Sequence, residues 1–159
     1  MEQEKSYSFI VPRLWGNLSA EDAGKELERI REQYGELKPE LVVKEAANPN
    51  SVLHHCFQWD DSVAAAAYRN EQARNLIKNI RVEIKTTNIS CKVRAFVNVR
   101  EEKEKPRNYV PIQSAILNEV AYNDLLQQAK EDMQSFITTY SQIEELNNVK
   151  AEMLKILNS

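Results

Sequence analysis

An α+β fold is what this sequence predicts, and three observations predict it. Apolar residues recur at helical spacing as far as about Asn79, and they alternate with period two from Ile80 to Val99. Beyond Tyr109 they return to helical spacing, so helices flank one compact run of strands. The expected architecture is N-terminal helices and a long central helix, a small antiparallel sheet of two to three strands, and a C-terminal helical hairpin. Residues 1–18 form an extended arm, 19–113 the α+β core, and 114–159 a helical segment packing on the core or on a second copy.

The arm carries Phe9, Ile10, Val11, Leu14 and Trp15 as apolar anchors. Ser19, with Asp22 three residues on, is a capping-box variant that opens a first helix striped by Ala23, Leu27, Ile30 and Tyr34. Gly35 is its natural terminator. Pro39 starts a second helix through Leu41, Val42, Val43 and Ala46, which ends before Asn48-Pro49. Val52 to Phe57 is a short connector. The long helix then starts at Asp60-Asp61, where Asp60 caps, Asp61 complements the helix dipole and Trp59 can staple onto Ala64. Ser62, Ala66, Ala73, Leu76, Ile77 and Ile80 fall in one arc, its expected core face.

Ile80, Val82 and Ile84 alternate with Arg81, Glu83 and Lys85. Val93, Ala95, Val97 and Val99 alternate with Lys92, Arg94, Phe96 and Asn98, so the two runs read as a hairpin around Thr86–Ser90. Glu101–Arg107 is a charged turn. Tyr109–Ile112 reads as a third strand, at an edge because of Pro111. Tyr122, Leu126, Ala129, Met133, Phe136, Tyr140 and Ile143 follow 4-3-4-3-4-3 spacing, an a/d seam within the chain or across a dimer. Asn147 and Asn148 interrupt it before a last helix with Val149, Met153, Ile156 and Leu157.

At 159 residues, 42% hydrophobic and 28% charged, the chain suits one domain, with or without a helical appendage. No run approaches the roughly 18 apolar residues of a membrane span. Met1-Glu2-Gln3-Glu4-Lys5 is unlike a signal peptide, and two cysteines, Cys56 and Cys91, make no disulfide framework. A reducing cytoplasm is the expected setting, with no membrane partner. The net charge of −3 hides an asymmetry: residues 69–107 hold eleven Lys/Arg against five Asp/Glu, a net +6, which leaves −9 for the rest.

The search for chemistry argues against an enzyme. His54-His55-Cys56, with Asp60 and Asp61 nearby, has zinc-compatible side chains but not the spacing of a structural site, so no metal is expected. The only two histidines sit side by side, there is no Gly-x-Ser-x-Gly elbow, and Gly16, Gly24 and Gly35 form no phosphate loop. Neither catalytic residues nor a cofactor are expected.

Binding is better supported. Arg74, Lys78 and Arg81 share one border of the long helix, and Lys85, Lys92, Arg94 and Arg100 follow on the strands. Such cations suit the phosphates of DNA or RNA, with Phe96 and Tyr109 as candidate stacking surfaces. The same residues also make an ordinary polar sheet face, with Phe96 covered by the C-terminal helix. Arg69 falls among the core positions, where its guanidinium must reach water or meet an anionic partner. The competing class is protein interaction, in which the Tyr122–Ile143 seam joins two copies or docks a host protein.

One segment carries a resemblance: Leu53-His54, Phe57, Trp59-Asp60-Asp61, Ala64-Ala65, Tyr68-Arg69, Gln72-Ala73-Arg74 and Leu76-Ile77. With Leu37–Val43 before it, and Val93–Val99 and Tyr109-Val110-Pro111 after it, it resembles a group of small proteins of tailed bacteriophages and prophages. The resemblance implies a bacterial host cytoplasm and an accessory role, in genome handling or interference with a host system. It assigns no activity and no site residues.

Overall fold

The computed structural model describes residues 5–11, 14–59, 63–85 and 90–159 and is α+β. Its elements are β1 (Ser6–Phe9), α1 (Ala20–Tyr34), α2 (Pro39–Ala46), α3 (Val63–Asn79), β2 (Ile80–Lys85), β3 (Ser90–Arg94), β4 (Phe96–Val99), β5 (Asn108–Pro111), α4 (Ile112–Leu117), α5 (Glu119–Thr139) and α6 (Asn147–Leu157).

The N-terminal helices form as their caps dictate. Ser19 Oγ accepts from the Asp22 backbone N–H at 3.0 Å, and Gly35 closes α1 at φ 73°, the left-handed conformation that glycine adopts freely. Pro39 sits in the first turn of α2, where its missing N–H costs nothing. The long helix α3 runs unbroken to Asn79 and passes directly into β2. The expected caps Asp60 and Asp61, and Ser62, lie outside the described residues. The buried stripe of α3 is Ala65, Ala73, Leu76, Ile77 and then Ile80; Ala66, expected in the core, is exposed. Two steps of four from Ala73 lead back to Ala65, with Arg69 between, so the stripe is rotated by one residue at its start.

The arm is more ordered than the sequence suggests. Residues 6–9 are a strand, because β1 pairs antiparallel with β2 and places Tyr7 opposite Val82 and Phe9 opposite Ile80. Phe9 and Trp15 pack on the main core, whereas Ile10, Val11 and Leu14, also expected to anchor, are about half exposed. Tyr7 lies over α1 at Gly24, where any Cβ would stand 2.5 Å from its ring.

The second run of the expected hairpin, Val93–Val99, is not one strand. It breaks at Ala95, and the described strands form two sheets, β1-β2-β3 and β4-β5, both antiparallel. Ala95 ties them together: its N–H donates to the Ile80 carbonyl at 3.1 Å, and its carbonyl accepts from Ile112 N–H at 2.9 Å. Phe96 and Val97 are both buried, so the alternation slips by one residue there. The slip sends Phe96 into the main core with α1, α2 and α3, and sends Val97 and Val99 into a smaller core with Val110, Ala115 and Ala121. The strand expected at Tyr109–Ile112 is β5, paired with β4 rather than completing the hairpin's sheet.

In the C-terminal part, Asn118 divides α4 from α5 and caps α5 through its side chain, which accepts from Ala121 N–H at 2.9 Å. Ala121 and Leu125 pack α5 onto the smaller core, and Gln128 Nε2 donates to the Asn98 carbonyl. Helix α5 stops at Thr139, so Tyr140 is its C-cap and Ile143 lies beyond it in extended backbone. The regular helical seam therefore covers Tyr122 to Phe136 only. Asn147 and Asn148, expected to interrupt, instead open α6.

Candidate nucleic-acid interface

The exposed side of the three-stranded sheet follows from the register. Tyr7, Phe9, Ile80, Val82, Ile84 and Val93 turn inward and pack on the core. The residues between them turn outward in two cross-strand rows: Ser8, Arg81 and Arg94, then Ser6, Glu83 and Lys92. Three cations and one carboxylate thus share one pleated surface. Arg81 and Arg94 stand directly opposite each other, a like-charge placement that costs stability.

Nothing anionic among the described residues pairs with Lys78, Arg81, Lys92 or Arg94 in a salt bridge. Arg81 Nη1 instead donates to the carbonyls of Lys78 at 2.7 Å and Ile80 at 3.2 Å, closing the C-terminus of α3. Its pKa is lowered, by partial burial first and then by the positive charge of Arg94. An anion bound between the two guanidiniums would relieve that repulsion, and the planar arginine fork matches phosphate oxygens.

The seven cations expected at the interface are not one cluster. Arg81, Lys92 and Arg94 share the sheet face, and Lys78 lies beside them at the end of α3. Arg74 is held by Glu71 at 3.3 Å in a mixed cluster about Tyr109, which also feels Arg94 and Glu40. Arg100 stands apart, beyond β4, where its backbone N–H donates to Asp124. The side chain of Lys85 lies outside the described residues. The expected stacking surfaces fail, since Phe96 is 2% and Tyr109 7% exposed, both inside the main core. Phe96 is covered there by the core built on α1, α2 and α3, which also corrects its expected cover, the C-terminal helix.

Arg69 is half-buried at the border of α3's buried stripe. It donates to the Gln58 carbonyl at 3.1 Å and lies 5.4 Å above the Trp59 ring. His54 is likewise engaged: its Nδ1 donates to the Ala46 carbonyl at 2.8 Å, and its ring stacks on Trp59 with centroids 5.0 Å apart. Burial pushes the Cys56 thiol up to about 11, which keeps it a protonated packing group.

A feature missed in the sequence is a groove between α3 and the described residues Ile10 and 14–18. Two cavities of about 580 and 480 Å³ share Leu14, Trp15 and Gln72 along it. Trp15 Nε1 and Asn79 Nδ2 are buried there with no acceptor among the described residues. The apolar run Ile10-Val11, Leu14-Trp15 is its only trace in the sequence, and there it looks like core. No helix among the described residues is long and apolar enough to cross a membrane. No protein-family model, curated protein or solved structure matches the chain.

Proposed function

We propose that the protein is a non-enzymatic binding protein that holds DNA or RNA by its phosphates, through the outer face of the β1-β2-β3 sheet. The observation that carries this reading is the Arg81–Arg94 pair, opposed across two strands with Lys92 beside it and, among the described residues, no salt bridge to either arginine. A fold gains nothing in stability from that placement, whereas a phosphate backbone gains two forked donors and a third charge. The setting proposed is a phage or prophage accessory role in a bacterial cytoplasm, resting on the resemblance centred on the Leu53–Ile77 segment.

With both candidate aromatics buried, the contact is to the backbone charge, so sequence preference is expected to be weak. A mobility-shift titration with labelled duplex DNA, single-stranded DNA and RNA at low salt tests this. The unaltered chain is expected to shift at least one of them, and Lys92→Glu plus Arg94→Glu to abolish the shift while the far-ultraviolet dichroism stays unchanged. No shift for any nucleic acid at low salt, or a shift indifferent to the double substitution, would reject the proposal.

A further inference from the structure

The groove along α3 gathers apolar side chains from separate stretches of the chain. Ile10, Leu14, Val52 and Tyr68 are 47–55% exposed, and all four line it. Such convergence marks a binding surface, unlike apolar residues exposed singly. From α3 the groove takes Tyr68, Gln72, Asn75, Lys78 and Asn79, a stripe of helical spacing, so one face of the helix forms its wall. Its two cavities are the size of small-molecule sites and adjoin at Leu14, Trp15 and Gln72, which suits an elongated ligand.

The wall of the smaller cavity is rich in unanswered donors. Asn79 is only 7% exposed. Its Oδ1 accepts from Val11 N–H at 3.2 Å, which fixes the orientation of the amide and leaves Nδ2 as a donor with no acceptor among the described residues. Trp15 Nε1, in the same wall, is a second such donor. An unpaired buried N–H destabilises a fold, so two in one wall ask for an acceptor from outside it. Lys78 adds a cation there and makes no salt bridge among the described residues. Glu71, the carboxylate of this wall, is held by Arg74 at 3.3 Å. The larger cavity adds apolar wall from Leu18, Val52 and Cys56, and its Asp22 carboxylate accepts from the Ser19 hydroxyl at 2.7 Å.

We infer that the groove binds an apolar carboxylic acid. The carboxylate accepts from Asn79 Nδ2 and Trp15 Nε1 beside the Lys78 ammonium, and the apolar body runs past Leu14 toward Leu18 and Val52. Both donors are closed to water as the chain stands, so the acid parts the wall as it seats. A fatty acid and the C-terminus of an apolar peptide share this chemistry. The site is distinct from the sheet face proposed for nucleic acid, with Lys78 common to both.

Isothermal titration calorimetry of the full chain tests the inference. One arm uses decanoate below its aggregation threshold, with decanamide as the uncharged control. The other uses an acetylated leucine–alanine tetrapeptide with a free C-terminal carboxylate, and its amide. At least one acid is expected to bind saturably in a single class of sites, its amide at least about 10-fold more weakly. The tighter acid identifies the source. Asn79→Asp keeps an oxygen for Val11 N–H and sets a carboxylate against the ligand, so the acid should bind about 10–100-fold more weakly. Trp15→Phe keeps an aromatic ring and removes the N–H, for a loss of about 10-fold. Lys92→Glu plus Arg94→Glu should leave acid binding unchanged, which separates the groove from the cationic face. No saturable binding by either acid, amides that bind as tightly as acids, or an affinity that survives both groove substitutions would overturn the inference.

Discussion

Tyr7 shows how much one contact can hold. Its ring lies against Gly24, its backbone N–H donates to Glu21 at 3.2 Å, and its strand completes the sheet that carries Arg81 and Arg94. Gly24→Ala puts a methyl 2.5 Å from that ring. The clash should cost about 1–3 kcal/mol in urea unfolding, more than the small gain a helical alanine brings. An unchanged midpoint would mean that Tyr7 yields freely. Tyr7 and Tyr109 also make stability depend on pH. Burial raises both phenols above their ordinary 10.0, with Glu28 adding to the shift of Tyr7. A raised phenol favours the fold while protonated, so its contribution is intact below pH 10 and is lost as pH climbs beyond it. Tyr7→Phe should therefore lose less stability between pH 9 and alkaline pH than the unaltered chain does; an identical decline would remove Tyr7 from that role. The phenol's burial was not legible in the sequence, because Tyr7 belongs to a strand whose partner lies more than seventy residues away.

Among the elements, those announced by local chemistry were the legible ones. Ser19, Gly35 and Pro39 set α1 and α2, and the stripe through Leu76 and Ile77 set the end of α3. Elements decided by distant packing were not. The break at Ala95 leaves no mark in composition, since Phe96 and Val97 are both apolar and either phase of the alternation looks acceptable. The turn after α5 is fastened by Lys150, eleven residues beyond Thr139, whose ammonium donates to the Tyr140, Ser141 and Ile143 carbonyls. Lys150→Met keeps the stem and removes the donors. It should cost about 1–2 kcal/mol and speed amide exchange in residues 140–157 while the β2–β3 amides stay protected. Equal protection in both regions would show that water replaces the ammonium without penalty.

Across the whole molecule, the uneven charge of the sequence becomes a division of surfaces. The +6 stretch of residues 69–107 was legible as a basic region, but not which of its members converge. Register decided that: it opposed Arg81 to Arg94 and brought Lys92 alongside, while Glu71 took Arg74 and the second sheet carried Arg100 away. The cationic face and the groove share only Lys78, so each can be removed without the other. The most direct measurement is the salt dependence of nucleic-acid affinity, since log K falls by about 0.9 per phosphate contact for each decade of salt on duplex DNA. For Arg81→Gln plus Arg94→Gln, the slope should be shallower than wild type by about two contacts, roughly 1.8. A slope equal to that of the unaltered chain, or no measurable binding by that chain at low salt, would contradict a phosphate-binding role for the opposed arginines.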